Sequence, residues 1–286
     1  MATTALLDVE DIHVSLGRRP RTTILDGVSL TVDRGEIVGL IGETGSGKTT
    51  LARAVLGLVP VETGHIRLDG DDITGLPSRA RRRLRRAGTV QYVFQDPLRS
   101  LDPDRTVFDS IAEGLQIRGD DRAAITERVR ATAALVELDH ALLEQYPGAM
   151  SGGQRQRAAI ARAMILDPEL LVCDEPVSAL DATTRIRILE LLVQLRASVG
   201  VGILLITHDL ATLGGLADRV VVLYRGQVVE SKPTAELFTN PEHPYTRLLL
   251  ASIPTIDGRQ VSAAERRRLR DAVAALETPS HPSQGD

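Results

Sequence analysis

Apolar side chains are spaced differently in different parts of this chain, and the spacing sets out its elements. The second half of 6–16 alternates apolar and polar residues, the period-two pattern of a half-buried strand. Short β-rich runs at 28–32 and Ile37–Ile41 flank the turn signal Asp33-Arg34-Gly35, and 65–68 runs into Asp69-Gly70 as a further strand and turn. This opening third predicts a β-rich layer. From 107 to 143 the pattern is helical and mildly apolar without strand signals, which predicts an inserted helical subdomain. The runs 170–173, 203–207 and 220–224 are then uninterruptedly apolar, as strands buried on both faces of a parallel sheet should be, and helix-like 183–198 joins the first two. Arg225-Gly226 reads as a hairpin turn. The expected class is α/β.

Beyond Pro254 the composition shifts. Residues 262–277 read as a basic amphipathic helix, and 278–286, polar with Pro, Ser and Gly, as disorder. The expected division is a main domain over 1–254 and a C-terminal extension over 255–286. No internal repeat of roughly 20–50 residues is visible. Residues 78–86 hold Arg79, Arg81, Arg82, Arg83, Arg85 and Arg86. Two readings stand there, a solvated helix end and a contact with anionic headgroups or an acidic partner.

Composition narrows the function. A chain of 286 residues accommodates one large α/β domain or two small ones. Aromatics are only 2% and the net charge is −4, which argues against a base-stacking reader of nucleic acid and against a global basic field. The single cysteine, Cys173, lies in an apolar run and reads as a small core residue. The first ten residues lack the basic flank and apolar core of a signal peptide. No apolar stretch reaches the ~18–20 residues that span a bilayer, so membrane work would require another subunit as anchor.

Two motifs carry chemistry. Gly42-Glu43-Thr44-Gly45-Ser46-Gly47-Lys48-Thr49 fits the phosphate-binding loop pattern, with a strand before it and a helix-compatible run from Thr50 after it. Glycines let backbone N–H groups wrap around phosphates, and the following helix N-terminus favours negative charge. Lys48 is expected to reach the β and γ phosphates and Thr49 to ligand Mg²⁺. The strand 170–173 ends in Asp174-Glu175, two carboxylates that are costly at a buried strand end unless metal or water chemistry uses them. Asp174 is expected to hold Mg²⁺, and Glu175 to orient the attacking water, since phosphoryl transfer is mostly positioning and charge neutralisation.

Met150-Ser151-Gly152-Gly153-Gln154 precedes a helix-compatible run. A capping Ser explains one of these residues but leaves two glycines and a glutamine unexplained. With the other two motifs, this segment resembles the signature of ATP-binding cassette (ABC) proteins, over most of the chain from Leu6 to Pro254. Met150 departs from the usual Leu. The resemblance implies a P-loop ABC ATPase fold, with an N-terminal antiparallel β layer, a RecA-like parallel core and a helical subdomain over about 96–160. It implies that Gln95, in Phe94-Gln95-Asp96-Pro97, senses Mg²⁺ and the γ-phosphate and faces the membrane subunits. Ser178-Ala179-Leu180-Asp181 would cross to a partner ATPase, and His208 would contact the γ-phosphate. ATP would be sandwiched between one subunit's phosphate loop and another's signature, where Ser151, Gly152, Gly153 and Gln154 face it.

The stretch Asn240-Pro241-Glu242-His243-Pro244-Tyr245-Thr246 and the run from Phe94 to Pro103 resemble the ATPases of oligopeptide, dipeptide and nickel importers. That likeness implies a second ATPase subunit, two permeases, an external solute-binding protein and a place on the cytoplasmic face of the membrane. Nickel or a metal chelate, an exporter and a non-transport cassette ATPase remain as alternatives. Many relatives carry a cysteine cluster for an iron–sulfur centre in this region; 255–286 contains no Cys, so no cluster is expected. Leu16 stands where the family usually stacks an aromatic on adenine, with Arg18, Arg19 or Arg21 as substitutes.

Overall fold

The computed structural model describes residues 5–18, 20–96, 100–253 and 262–277. The expected disorder of 278–286, the domain boundary at Pro254, the end of the Gln95 motif at Pro97 and the role of Arg19 lie outside these residues.

Two sheets form. A four-stranded antiparallel sheet has the order β2 (Thr22–Val32), β1 (Leu7–Leu16), β4 (Thr63–Leu68), β5 (Asp71–Asp72). A six-stranded sheet has the order β10 (Gln227–Pro233), β9 (Arg219–Tyr224), β3 (Ile37–Ile41), β8 (Gly202–Thr207), β7 (Leu170–Asp174), β6 (Val90–Val93). All its neighbours are parallel except the β9–β10 hairpin.

The uninterrupted apolar runs have a period-two logic after all. In β3, Val38 and Leu40 face one core while Ile37 and Ile41 face the other; in β7, Leu170 and Val172 oppose Leu171 and Cys173. One core lies under the antiparallel sheet and α1 (Lys48–Val55), the other under the helices. Both faces are covered, so polar alternation has no place in these strands. Cys173 is fully buried, and burial pushes its thiol well above the usual range.

The helical part comprises α3 (Val107–Arg118), α4 (Arg122–Leu135) and α5 (Gly152–Met164). α6 (Ala182–Val199) joins β7 to β8, and α7 (Leu210–Leu213) leads towards β9. The arginine run forms α2 (Ser78–Ala87), which has no buried residue and stops at the left-handed Gly88. The second strand begins at Thr22, earlier than its apolar run, because its first residues pair with the end of β1. β6 has no strong sequence signal, since it is a four-residue edge strand with three half-buried positions. After β10 come α8 (Thr234–Thr239), α9 (Pro244–Leu250) and α10 (Ala263–Glu277); α10 packs on α9 and buries Val273 in the helical-side core.

Candidate functional site

The carboxyl ends of β3, β7 and β8 converge at one edge of the sheet, the usual ligand side of an open parallel sheet. After β3, the chain turns within van der Waals reach of the β9–β10 hairpin. A Cβ on Gly42 would lie 2.2 Å from the Leu223 carbonyl oxygen, so only glycine fits. Gly47, at φ 110°, caps the N-terminus of α1 and would place a Cβ 2.6 Å from Leu25. Lys48 Nζ donates to the carbonyls of Gly42 (2.7 Å) and Glu43 (2.9 Å), two of the ammonium's three donors. Burial lowers the Lys48 pKa, opposed by the charges of Glu175, Asp174 and Glu43. Ser46 is 1% exposed and its hydroxyl has no hydrogen-bond partner. A buried, unsatisfied hydroxyl beside a desolvated ammonium is a cradle suited to phosphate oxygens.

The carboxylates lie opposite. Asp174 Oδ2 accepts from Thr49 Oγ1 at 3.1 Å and from the Tyr92 hydroxyl at 2.5 Å. Glu175 has a left-handed backbone (φ 48°), and its N–H donates to Ile206 O at 2.9 Å. That strained position for a non-glycine residue is held by the sheet. Its two oxygens are separately engaged: Gln95 Nε2 donates to Oε2 at 3.0 Å, and His208 Nδ1 lies 2.9 Å from Oε1. Lys48, Thr49, Gln95, Asp174, Glu175 and His208 therefore form one cluster, although the sequence spreads them from β3 to β8. Thr50 is half-buried in the first turn of α1, and Glu43, Thr44 and Gly45 are exposed on the loop.

Ser151, Gly152, Gly153, Gln154 and Asp181 form a second cluster. Among the described residues, no hydrogen bond joins it to the phosphate loop. Ser151 Oγ accepts from Gln154 N (3.3 Å) while Gln154 Oε1 accepts from Ser151 N (2.8 Å), a reciprocal capping box on α5. This corrects the sequence reading: a cap accounts for Gln154 as well as Ser151. The glycines are packing requirements too, since a Cβ on Gly153 would lie 2.5 Å from Thr184 Cγ2 and one on Gly152 3.2 Å from Leu180 Cδ2. Asp181 caps α6 through Thr184 N at 3.0 Å, and these hydrogen bonds hold its carboxyl below the ordinary value. A cavity of about 300 Å³ opens here, lined by Ser151, Gly153, Gln154, Arg157 and Thr184.

Two tyrosines escaped the sequence reading as site residues. Tyr92 is half-buried on the edge strand β6, where its phenol needs a partner, and Asp174 supplies it. Tyr245, quoted only for its resemblance, accepts a hydrogen bond from Glu43 N. Leu16 ends β1 and is 37% exposed. Arg21 is not a free guanidinium, because Nη1 is bound to Glu62 Oε1 at 2.6 Å.

The model of the ABC transporter family matches residues 25–178. This chain belongs to the ABC transporter family. It is an ABC ATPase, and a second model, for the C-terminal region of oligopeptide/dipeptide transporters, matches 229–282. A putative peptide import ATP-binding protein of Brucella ovis is 43% identical over the whole chain and 88% of that relative. The oligopeptide transport ATP-binding protein OppF of Escherichia coli is 40% identical over 98% of this chain and 86% of its own length. Among solved structures, cbiO1 of Clostridium perfringens, part of the ABC transporter complex cbiONQ, superposes with a TM-score of 0.75 at 27% identity, over 86% of this chain and 95% of that one. The ATP-binding cassette MJ0796, a dimer bound to ADP and Pi, gives 0.72 at 25% identity over 80% and 98%.

Proposed function

We propose that this chain is the ATPase subunit that powers peptide uptake through an ABC importer on the cytoplasmic face of the membrane. The observation that carries the chemistry is the doubly held Glu175. Its two oxygens are fixed by Gln95 and His208, beside a phosphate loop and the Thr49–Asp174 pair. The loop amides and Lys48 bind the phosphates of ATP, and Glu175 takes the hydrogen bond of the attacking water and aims it at the γ-phosphorus. Gln95 and His208 keep that carboxylate from turning away. Thr49 and Asp174, a hydroxyl and a carboxylate within 3.1 Å, are hard oxygen donors of the kind Mg²⁺ takes alongside substrate phosphates. Bound there, the ion would neutralise charge on the β and γ oxygens.

Among the described residues no hydrogen bond joins the signature cluster to the phosphate loop of its own chain, which supports a signature supplied to each loop by a second ATPase subunit. The N-terminus of α5, with Ser151 and Gly153, then faces the γ-phosphate of the partner's nucleotide. ATP closes the pair and hydrolysis opens it. A groove of about 560 Å³ beside Gln95, lined by Arg53, Tyr92, Phe94 and Asp96, runs into a cavity holding Arg81, Arg82, Arg85 and Arg86. This continuous surface suits the cytoplasmic segments of two permease subunits, because whatever presses on Gln95 acts on Glu175. Among the described residues no helix is long and apolar enough to cross a membrane.

The peptide assignment rests on residues 229–282 and on the relatives' names. An external solute-binding protein would deliver the peptide to the permeases. Uptake of labelled di- and oligopeptides and of ⁶³Ni²⁺ is measured in a strain lacking the gene, complemented by wild type or Glu175→Gln. Peptide uptake restored by wild type alone is expected. Restored nickel uptake without peptide uptake would refute the peptide reading.

A further inference from the structure

Tyr245 joins the C-terminal region to the phosphate loop across 202 residues of sequence. α9 is a short helix with a fixed entry: His243 Nδ1 accepts from Tyr245 N at 3.2 Å, and Pro244 occupies the first turn. The segment before it is tied to β10. Glu230, 7% exposed, accepts from Glu242 N at 2.8 Å and His243 N at 3.0 Å, and Lys232 Nζ donates to Asn240 O at 3.0 Å. So held, Tyr245 is 3% exposed, and its ring centroid lies 4.2 Å from that of Tyr224. Its hydroxyl accepts from Glu43 N at 2.8 Å. Burial pushes the phenol up to about 12, so it stays neutral at working pH.

The loop it touches is braced from within, by Lys48 Nζ on the Gly42 and Glu43 carbonyls and by Ser46 N on Glu43 O at 3.1 Å. Gly42, Gly45 and Gly47 give the backbone freedom that must be lost when phosphate is bound. A second tie from outside the loop comes from the β9–β10 turn, where Gly226 N donates to Ser46 O at 2.9 Å. We propose that Tyr245 is a positioning residue for the ATPase reaction, its hydroxyl fixing the Glu43 peptide and so holding the phosphate loop in its binding shape. The Glu43 amide is thereby committed to Tyr245, and the phosphate cradle is left to the amides that follow. A loop ordered in advance pays less on binding, and the gain is shared by every nucleotide that uses it. Among the described residues no hydrogen bond joins Tyr245 to Gln95, Glu175 or His208, so it acts on binding and not on the chemical step.

The test is Tyr245→Phe in the full chain, which keeps the ring, its packing on Tyr224 and the burial, and deletes only the acceptor. Affinities for Mg·ATP and Mg·ADP are measured by titration calorimetry. They are set beside steady-state hydrolysis, amide hydrogen exchange over 42–48 and thermal melting without nucleotide. The expected result is a loss of about three- to tenfold in affinity for both nucleotides, the scale of one hydrogen bond. KM should rise in step with kcat held within about twofold, the mark of lost uniform binding. The Glu43 amide should exchange faster, while the melting point hardly moves. Unchanged affinity and exchange would overturn the proposal. So would a lower melting point with unchanged affinity, which is packing alone, or a fall in kcat at constant KM. A variant that does not fold would assign the hydroxyl to folding and also defeat it. The proposal rests on the ATP reading, and the two fail separately: wild-type chain that binds no Mg·ATP removes that reading, whereas equal binding by wild type and variant removes only this one.

Discussion

Glu175→Gln isolates the charge that the site holds. The substitution preserves length and shape, so its cost is read from the two hydrogen bonds that reach the carboxylate. Gln95 Nε2 donates to one oxygen at 3.0 Å and His208 Nδ1 meets the other at 2.9 Å. A glutamine offers one oxygen and one NH₂ in place of two acceptors. If its oxygen faces Gln95, its NH₂ faces His208, whose ring can present an unprotonated Nδ1 as acceptor by switching tautomer. Both hydrogen bonds thus survive and the fold should tolerate the change. The negative charge that polarises water does not survive. Losing one preorganised electrostatic group of this kind costs roughly 3–4 kcal/mol of transition-state stabilisation, about 10²–10³ in kcat. ATP affinity should stay within a few-fold, because Glu175 lies beyond the loop that binds the phosphates, and ATP-bound dimers should accumulate with the partner subunit. The assay is phosphate release from Mg·ATP beside equilibrium binding and size-exclusion chromatography. Hydrolysis within a few-fold of the parent would refute the role of Glu175.

Three further changes test other parts of the structure. Gly153→Ala drives a methyl to within 2.5 Å of Thr184 Cγ2 and should lower the melting point by several degrees. The double variant with Thr184→Ser, which removes that methyl and keeps the hydroxyl, should recover part of the loss, and a melt showing no recovery would place the strain elsewhere. Leu16→Tyr should tighten Mg·ATP about tenfold, the ~1.4 kcal/mol that a stacked aromatic supplies over an apolar contact, whereas unchanged affinity beside strong ATP preference over GTP in the wild type would mean that another residue grips the base. Removing 255–286 strips α10 from α9 and uncovers the pocket of Val273, so the melting point should fall while Mg·ATP affinity stays within a few-fold. Loss of nucleotide binding in the folded truncation would mean that the extension belongs to the ATP site.

Much of the candidate nucleotide site was legible in the sequence, for a physical reason. A phosphate cradle needs consecutive backbone amides, so its residues must be contiguous, and Gly42 to Thr49 are. Asp174 and Glu175 could be found because they interrupt an apolar strand with charge. The parallel strands β3, β7, β8 and β9 were visible as apolar runs because both their faces are covered. The capping role of Gln154 was overlooked although a local rule gives it: a serine followed three residues later by glutamine is a capping box, and the pair sits in the sequence in plain order.

Other features depend on which distant segments meet, and no local pattern encodes that. The pairing of Gln95 and His208 on opposite oxygens of Glu175 exists only because β6, β7 and β8 stand side by side in the sheet. The hold of Tyr92 on Asp174 needs the same adjacency. β6 itself was missed because an edge strand is covered on fewer sides and has less need of an apolar run. Arg21 looked free for adenine until β4 brought Glu62 beside it. Tyr245 is the extreme case: its motif was plain in the sequence, but its contact with Glu43 waits on the chain passing through both sheets and returning along β10. Sequence alone could determine groups whose chemistry demands neighbours in the chain. Tertiary structure decided those whose chemistry demands neighbours in space, because long-range hydrogen bonds are placed by sheet order and helix entry rather than by the residues that make them.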